Sequence, residues 1–259
     1  MASLKRKLKY ILIWIKELAR FCPFRKANID KENLFLTCGH RGSPVNEPEN
    51  TIPSLERALR EGANSVEVDI CVTKDKEVIL WHDWNPDELV ALIRERGLEP
   101  EVAYKPEFPA PFSGFRNKTS ELTLKEFREH FNYVKKGEEI SVGAHIPTFE
   151  EFFVWLSDKE KLKYVFLDMK VPSDEKEFVL VILDKLDSLV KKYNPPCKFI
   201  LETFNKEVLS TARSKYPDLT YCLDVELPLG FIFFPQLHSG IKTAMANKNS
   251  VALILRPRQ

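Results

Sequence analysis

Residues 164–224, with the sequence YVFLDMKVPSDEKEFVLVILDKLDSLVKKYNPPCKFILETFNKEVLSTARSKYPDLTYCLD, decide the fold class. Three short apolar runs of strand length alternate here with two longer segments of helical pattern. The runs are 164–168, 199–202 and 219–224, and the helical segments are 175–192 and 206–215. Repeated strand–helix units predict parallel strands with helices outside them, either as a barrel or as an open sheet.

The same alternation extends toward the N-terminus. A short apolar run at 34–38 predicts the first strand, and a helix is predicted to begin near Pro53 and to end at Gly62. Residues 65–72 and 77–82 are rich in β-forming side chains on either side of a short turn, which predicts a hairpin. Segment 104–117, with three prolines and three phenylalanines, predicts a loop.

The composition excludes two classes of protein. Hydrophobic residues make up 44% of the 259 residues, which is too many for a disordered chain. The 39 Lys and Arg residues nearly balance the 38 Asp and Glu residues, so no nucleic-acid binding by bulk positive charge is expected. The five cysteines are odd in number and none forms a C-x-x-C pair, which favours reduced thiols over disulfides or a zinc site.

Residues 4–21 form a segment with a basic face and an apolar face. The apolar positions Leu4, Leu8, Ile11, Ile15 and Leu18 recur at helical spacing, opposite Lys5, Lys9, Lys16 and Arg20. Two interpretations stay open: a helix at a membrane interface, attracted by anionic lipid, or a helix that closes the bottom of the main domain. Without a membrane-spanning run or a signal-peptide pattern, we expect a cytoplasmic protein, peripheral on a membrane in the first interpretation.

Polar side chains gather at the ends of the predicted strands. They are His40 and Arg41 after the first strand, Glu67 and Asp69 on the second, His82 and Asp83 after the hairpin, and Asp168 and Lys170 after the next strand. In parallel α/β proteins these strand ends meet at one edge. A hairpin turn centred between Lys74 and Asp75, or one residue later, places His82 opposite Glu67 or Asp69 and on the same face.

These residue types predict a metal-assisted phosphodiester site. Carboxylate oxygens from Glu67, Asp69 and Asp168 suit Mg²⁺ or Ca²⁺. His40 and His82 beside such a metal predict a general acid–base pair. Cationic side chains from Arg41 and Lys170 then lie where an anionic phosphate would bind.

Four stretches of the chain resemble the glycerophosphodiester phosphodiesterase family. They are GHRGSPVNEPENT (39–51), VEVDICVTKDKEVILWHD (66–83), HIPTFEEFF (145–153) and VFLDMK (165–170). The ordered combination HRG, PENT, ExD and HD is highly specific, and the resemblance extends over about residues 34–224. It implies a TIM-barrel enzyme that depends on a divalent metal.

The resemblance also implies a role for each matching position. The matches are His40 and His82 to the catalytic pair, Arg41 to the phosphate-binding arginine, Glu67 and Asp69 to two metal ligands, Glu49 and Asn50 to the acid and amide of the PENT motif, and Lys170 to the lysine of the E-x-K strand. The hairpin matches the part of the family that carries the second histidine.

Three positions depart from the family pattern. Asp168 stands where the third metal ligand is usually Glu; the related sphingomyelinase D-like phospholipases use Asp there, so we expect metal binding to persist. Thr203 replaces a Ser before Phe204 and keeps the hydroxyl. Lys76 replaces the Gly of the hairpin turn, where a positive φ is more costly for lysine.

The number of strands predicts an incomplete barrel. Leaving out the hairpin return, barrel strands are expected near residues 36, 68, 167, 200, 222 and 253, six of the eight in a TIM barrel. We therefore expect an extension at 1–33 and a (β/α)8-type barrel domain at 34–259 that lacks its last one or two βα units. Either the chain is a fragment, or a partner or the N-terminal helix covers the open edge.

Three functions follow as expectations. The family default is hydrolysis of glycerophosphodiesters to glycerol 3-phosphate and an alcohol. The basic segment 4–21, the aromatic side chains Phe108, Phe112 and Phe115, and the apolar run 229–234 favour a lysophospholipase D-type reaction on membrane lysophospholipids, unless the aromatics form a packed loop core. The third possibility is an inactive, truncated barrel that acts as a binding protein.

Overall fold

The computed structural model describes residues 36–227 and 250–257, with side chains over 36–222. Its strands are β1 (Cys38–His40), β2 (Ser65–Val72), β3 (Val78–Leu80), β4 (Tyr104–Glu107), β5 (Asn132–Lys135), β6 (Tyr164–Met169), β7 (Lys198–Thr203), β8 (Thr220–Leu227) and β9 (Ser250–Pro257). Its helices are α1 (Ile52–Arg60), α2 (Leu89–Glu95), α3 (Leu124–His130), α4 (Phe149–Leu156), α5 (Phe178–Tyr193) and α6 (Lys206–Lys215).

Six strands form one parallel sheet in the order β1-β2-β6-β7-β8-β9. They coincide with the six predicted barrel strands, so the parallel α/β prediction is confirmed. The proposed extension at 1–33, with its helix at 4–21, and the apolar run at 229–234 lie outside the described residues. In the part of the chain that is described, no helix is both long enough and apolar enough to span a bilayer.

Threonine caps set the beginnings of three helices. The Thr51 hydroxyl accepts from the Ser54 N–H before α1, and Thr123 and Thr148 form capping boxes with Glu126 and Glu151 before α3 and α4. Each box satisfies two backbone N–H groups that the first turn of a helix leaves unpaired.

The segment between β3 and α4 holds a second, smaller sheet that the sequence did not predict. β4 pairs antiparallel with β5, so the predicted loop at 104–117 is wrong for residues 104–107. The error has a physical reason, because Pro106 lies within the short strand β4 and proline usually marks loops or edge strands. The Trp81 ring packs against this segment. Its centroid lies 5.1 Å from that of Tyr133 on β5 and 5.4 Å from that of Phe127 on α3.

The hairpin register differs from both predicted registers. Ile70 faces Leu80 and Val72 faces Val78, so residue 82 would lie opposite Val68 if the ladder continued. The turn contains three residues instead of two, since the Thr73 N–H donates to the Glu77 carbonyl at 2.9 Å. The ladder therefore does not bring His82 to the carboxylates. His82 lies beyond the end of β3, after the Trp81 N–H makes its bond to the Asp69 carbonyl at 3.0 Å.

Lys76 occupies the third position of this turn with φ +64°. A left-handed backbone costs an L-residue roughly 1–2 kcal/mol, and glycine adopts it freely. We expect Lys76→Gly to raise the free energy of unfolding by about 0.5–1 kcal/mol, measured by urea denaturation. Lys74→Gly, in the same turn but without a positive φ, should lower it, and an equal response of the two variants would contradict the interpretation.

Candidate active site

Three carboxylates meet on one face of the parallel sheet, two from β2 and one from the carboxyl end of β6. Asp69 and Asp168 are register partners in adjacent parallel strands, and Glu67 lies two residues before Asp69 on the same face. One oxygen from each lies within 4.8 Å of the others, and all three side chains are buried. Val66, Val68 and Ile70, on the opposite face of β2, join the hydrophobic core. The alternation of β2 therefore places the two acids on one face of the sheet and the three apolar side chains on the opposite face, in the hydrophobic core.

The surroundings shift the pKa values of Glu67 and Asp69 in opposite directions. Burial, then the nearby Asp69, Glu202 and Asp168, raises the pKa of Glu67 well above its ordinary value. Burial also works to raise the pKa of Asp69, but the Lys170 ammonium and the Arg41 guanidinium outweigh it and hold this pKa well below its usual range. Lys170 Nζ lies 2.8 Å from Asp69 Oδ1 and 2.6 Å from Asp168 Oδ2. The predicted phosphate-binding lysine thus lies among the carboxylates.

The HRG motif is a tight turn that only a few conformations allow. Arg41 has φ +55° and Gly42 has φ +90°. A Cβ atom on Gly42 would lie 2.6 Å from the Ser54 carbonyl carbon and 2.8 Å from the Leu55 nitrogen, inside the backbone of α1. Glycine is therefore required here. The turn directs the Arg41 backbone N–H to Glu67 Oε2 at 3.0 Å.

The Arg41 side chain is buried among carboxylates. Its Nη1 lies 2.9 Å from Glu49 Oε2 and 3.1 Å from Glu99 Oε1, and its Nε lies 3.1 Å from Asp69 Oδ2. Burial works against this charge, but Glu49 and Asp69 outweigh it and raise the pKa of Arg41. Among residues 36–222, no acceptor forms a hydrogen bond with Nη2 of Arg41.

Asn50 explains why the PENT motif needs an amide. Its Nδ2 donates to Asp69 Oδ2 at 2.8 Å, and its Oδ1 accepts from the Asp69 backbone N–H at 3.0 Å. An amide carries its donor and its acceptor on two separate atoms, which neither a carboxylate nor a hydroxyl does. The residue has φ +55°, a conformation that asparagine tolerates better than most residues do. Asn50 therefore fixes both the backbone and the carboxylate of Asp69.

The two histidines differ in their surroundings. The His40 side chain is 44% exposed, and its Nε2 lies 3.8 Å from Glu67 Oε2. His82 is mostly buried, and its Nδ1 lies 2.8 Å from Asp83 Oδ1. Burial opposes the charge on Asp83, but Arg94 and His82 outweigh it and hold the pKa of Asp83 well below its usual range. An ionised Asp83 only accepts, so Nδ1 of His82 carries the proton and Nε2 is the nitrogen available for proton transfer.

Burial and nearby cations act together on His82. Burial lowers the pKa of His82, and Arg94, Lys170 and Arg41 lower it further, while Asp83 raises it. The net effect lowers the pKa of His82, which favours its neutral form.

All nine predicted site residues thus lie in one connected site, but sequence reasoning missed several of their partners. Arg94 on α2 is buried against Asp83 and Glu49, and Glu99 pairs with Arg41. Glu202 is buried on β7 beside Asp168. The sequence places Asp83 at the end of the hairpin but assigns no role to it. The HD pair was a signal for Asp83, whereas nothing in the local sequence distinguishes Arg94 from the other charged residues of its helix.

The site fits a hard divalent cation. Three carboxylates converge without a soft ligand, which is the donor set that Mg²⁺ and Ca²⁺ prefer. Glu67 Oε1 is buried and accepts no hydrogen bond from any residue with a described side chain. A buried acceptor without a donor is costly, and a cation would satisfy it.

Comparison with known proteins places the chain in a family. The sequence model of the glycerophosphoryl diester phosphodiesterase family matches residues 40–248. A curated glycerophosphodiester phosphodiesterase from Caldanaerobacter subterraneus is 30% identical over 186 residues, which cover 71% of this chain and 64% of that protein. The match to the Bacillus subtilis enzyme of the same name covers 60% of its length. The chain thus spans less than two thirds of these relatives.

Solved structures share the fold. A putative glycerophosphoryl diester phosphodiesterase from Silicibacter pomeroyi superposes with a TM-score of 0.59 at 18% identity, over 85% of this chain and 82% of that one. A phosphodiesterase from Oleispira antarctica, solved in complex with the product sn-glycerol-3-phosphate, gives 0.56 at 17% identity, over 87% and 86%. The six parallel strands are therefore those of a TIM-barrel-type fold. With the family match over most of its length, the chain belongs to the glycerophosphoryl diester phosphodiesterase family.

Proposed function

We propose that this protein is a metal-dependent phosphodiesterase that hydrolyses glycerophosphodiesters to glycerol 3-phosphate and an alcohol. One observation carries the proposal: three buried carboxylates lie within 4.8 Å of one another, with His40 Nε2 3.8 Å from Glu67 and the buried Arg41 3.1 Å from Asp69. The product-bound relative from Oleispira antarctica supports the substrate class. The family membership supports the reaction type.

Glu67, Asp69 and Asp168 would hold Mg²⁺ or Ca²⁺. When bound, such an ion supplies positive charge to the non-bridging oxygens of a phosphate. Arg41 adds to this charge, because Nη2 is the guanidinium nitrogen that its three carboxylate partners leave to a phosphate oxygen. Lys170 contributes a second cation, and Glu49 and Asn50 hold Arg41 and Asp69 in place.

The two histidines transfer the protons of the reaction. One imidazole accepts a proton from the attacking hydroxyl or water, and the other donates a proton to the leaving alcohol. Asp83 fixes the ring of His82 through Nδ1, which leaves Nε2 for this task. His40 is half-exposed at the mouth, where an alcohol arrives or departs.

The direct test is a hydrolysis assay of the full chain with glycerophosphocholine. Release of glycerol 3-phosphate is followed with Mg²⁺, with Ca²⁺ and with excess EDTA. We expect turnover with a divalent ion and its loss in EDTA. Substrate binding without turnover under every metal condition would favour the inactive binding protein instead.

A second candidate, hydrolysis of lysophospholipids at a membrane by a cytoplasmic protein, is favoured by the outer face of α2. Leu89 and Val90 expose 73% and 56% of their surface, and Ile93 exposes 40%. Arg94, one residue on, is buried in the site, so this apolar face lies on the same helix that reaches the catalytic residues. Phe112 is fully exposed as well, whereas Phe108 packs on Trp81, so the packed-core interpretation holds for only part of the aromatic loop.

The double variant Leu89→Glu, Ile93→Glu tests whether the substrate is a membrane lysophospholipid or a soluble glycerophosphodiester. If α2 docks on lipid, we expect flotation with phosphatidylcholine vesicles and hydrolysis of vesicle-borne lysophosphatidylcholine to fall about 10-fold or more. The reason is that burying each of the two apolar side chains in lipid contributes at least about 1 kcal/mol of binding free energy. Hydrolysis of soluble glycerophosphocholine should persist. Val154→Glu, which alters an exposed apolar side chain on α4, is the matched control. Unchanged flotation of the double variant would exclude α2 as the lipid-binding surface.

A further inference from the structure

Helix α2 brings a buried arginine to the edge of the active site. It belongs to the segment between β3 and α4, outside the parallel sheet. Its outer face is apolar and exposed, but Arg94 is turned inward and exposes only 3% of its side chain. A buried, fully charged guanidinium requires acceptors on several sides, and the site supplies them.

Arg94 joins two parts of the site that are otherwise separate. Its Nε lies 3.1 Å from each oxygen of Asp83, and Asp83 in turn holds His82 Nδ1. Its Nη atoms bind Glu49, with Nη1 at 3.4 Å from Oε2 and Nη2 on Oε1, and Nη1 also binds Glu99. Both of these glutamates bind Arg41. One side chain therefore contacts the partners of the second histidine and of the phosphate-binding arginine.

We propose that Arg94 is a positioning residue that fixes the orientation and tautomer of His82 through Asp83 and aligns Arg41 through Glu49 and Glu99. The proposal rests on the proposed function for its effect on turnover. Its structural part, the state of the His82 ring, does not depend on any reaction.

Charge balance explains why an arginine is needed at this position. Among the ion pairs of the network, two arginines face Glu49, Asp83 and Glu99. Burial works to raise the pKa of Glu49, but Arg94, followed by Arg41, lowers it to about 2. Arg94 is likewise the largest opposing influence to burial at Asp83. Without Arg94 these two acids take up protons more readily, and a protonated Asp83 no longer selects the Nδ1-protonated form of His82.

The geometry requires a planar, forked cation. Arg94 reaches Asp83 through Nε and Glu49 through Nη2, which are different nitrogens of the guanidinium. A lysine carries the same charge as a single point and cannot contact both carboxylates in this way. Arg94→Lys therefore keeps the charge but removes the linkage, and Arg94→Gln removes both.

The test combines kinetics with nuclear magnetic resonance of the intact protein. Arg94→Lys, Arg94→Gln and Asp83→Asn are assayed with glycerophosphocholine and Mg²⁺, and the ¹⁵N signals of His82 are recorded without substrate. We expect kcat to fall about 100-fold in all three, the scale of one acid–base group, with KM rising by a smaller factor. The His82 ring should change from one Nδ1-protonated tautomer to a mixture of both.

A matched variant and a second readout keep the outcomes distinct. Arg96→Gln alters an exposed arginine just beyond α2 and should match the wild type in both measurements. The proposal is overturned if a folded Arg94→Lys protein keeps kcat within about 3-fold of the wild type, or if kcat falls while the His82 signals stay unchanged. If Arg94→Gln does not fold, Arg94→Lys and Asp83→Asn decide. A wild type without hydrolysis refutes the proposed function, and the His82 signals then decide the positioning role alone.

Discussion

His40→Ala is expected to fold normally and to lose about 10²–10⁴-fold in turnover of glycerophosphocholine, the contribution of a general acid or base. The side chain is 44% exposed, and its Nε2 lies 3.8 Å from Glu67 Oε2. Its removal leaves no cavity in the core, so the free energy of unfolding should change by no more than about 0.5 kcal/mol. The measurement is kcat with saturating Mg²⁺, beside a thermal unfolding curve.

The control for this variant is His145→Ala. His145 is also exposed, with an ion-pair partner in Glu151 at 3.1 Å, but it lies in the segment that leads into α4 and touches none of the proposed catalytic groups. It should retain wild-type turnover. Near-normal activity in His40→Ala would rule out His40 as a proton-transfer group, and a fall in both variants would point to a general loss of folded protein.

The sequence predicts which side chains lie together better than it predicts how they are brought together. That Glu67, Asp69 and Asp168 lie close to one another follows from a rule that depends only on topology, because strand ends in parallel α/β proteins meet at one edge. The predicted position of His82, opposite Glu67 or Asp69, is wrong because it assumes a two-residue turn. The third turn residue, Lys76 with φ +64°, shifts the register by one position, and no local pattern reveals a lysine in that conformation.

The contribution of α2 escaped prediction for a related reason. Helix α2 is a short surface helix at Leu89–Glu95. The amphipathic pattern of such a helix predicts that its charged side chains face water. Arg94 is buried because Asp83 and Glu49, distant in sequence, present carboxylates to it. A tertiary partner of this kind overrides the surface preference of arginine, and no single sequence contains that information.

Glu67→Gln is expected to stabilise the metal-free protein and to abolish its activity. Burial and neighbouring carboxylates raise the pKa of Glu67 above 4.5, so between 4.5 and that higher pKa the folded state binds a proton that the unfolded state has released. Stability of the metal-free wild type therefore falls as pH rises through this window. In the variant, the amide oxygen still accepts from the Arg41 backbone N–H. The amide nitrogen, a donor, replaces Oε1, which is a buried acceptor without a hydrogen bond from the described residues.

Glu67→Gln should raise the free energy of unfolding at pH 7 in EDTA by about 1–3 kcal/mol, measured by urea denaturation. Adding Mg²⁺ or Ca²⁺ at 100 times the dissociation constant should stabilise the wild type by about 2.7 kcal/mol and leave Glu67→Gln unchanged. Hydrolysis should fall about 100-fold or more, because charge stabilisation of several kcal/mol is lost. Glu101→Gln, at an exposed position, should change neither quantity.

Asp69→Asn, in the same carboxylate cluster, is expected to change the stability of the metal-free protein in the opposite direction. Asp69 is held ionised by Lys170 and Arg41, so its neutralisation leaves two buried cations short of a partner. We expect it to destabilise the metal-free protein by about 3 kcal/mol or more, while it also removes the metal response and the activity. Loss of activity in both variants with opposite changes in stability would identify Glu67 as the group whose charge the bound ion compensates. Destabilisation by Glu67→Gln in EDTA would show that its carboxylate is already balanced by Lys170 and Arg41, and that a metal is not needed to hold the cluster together.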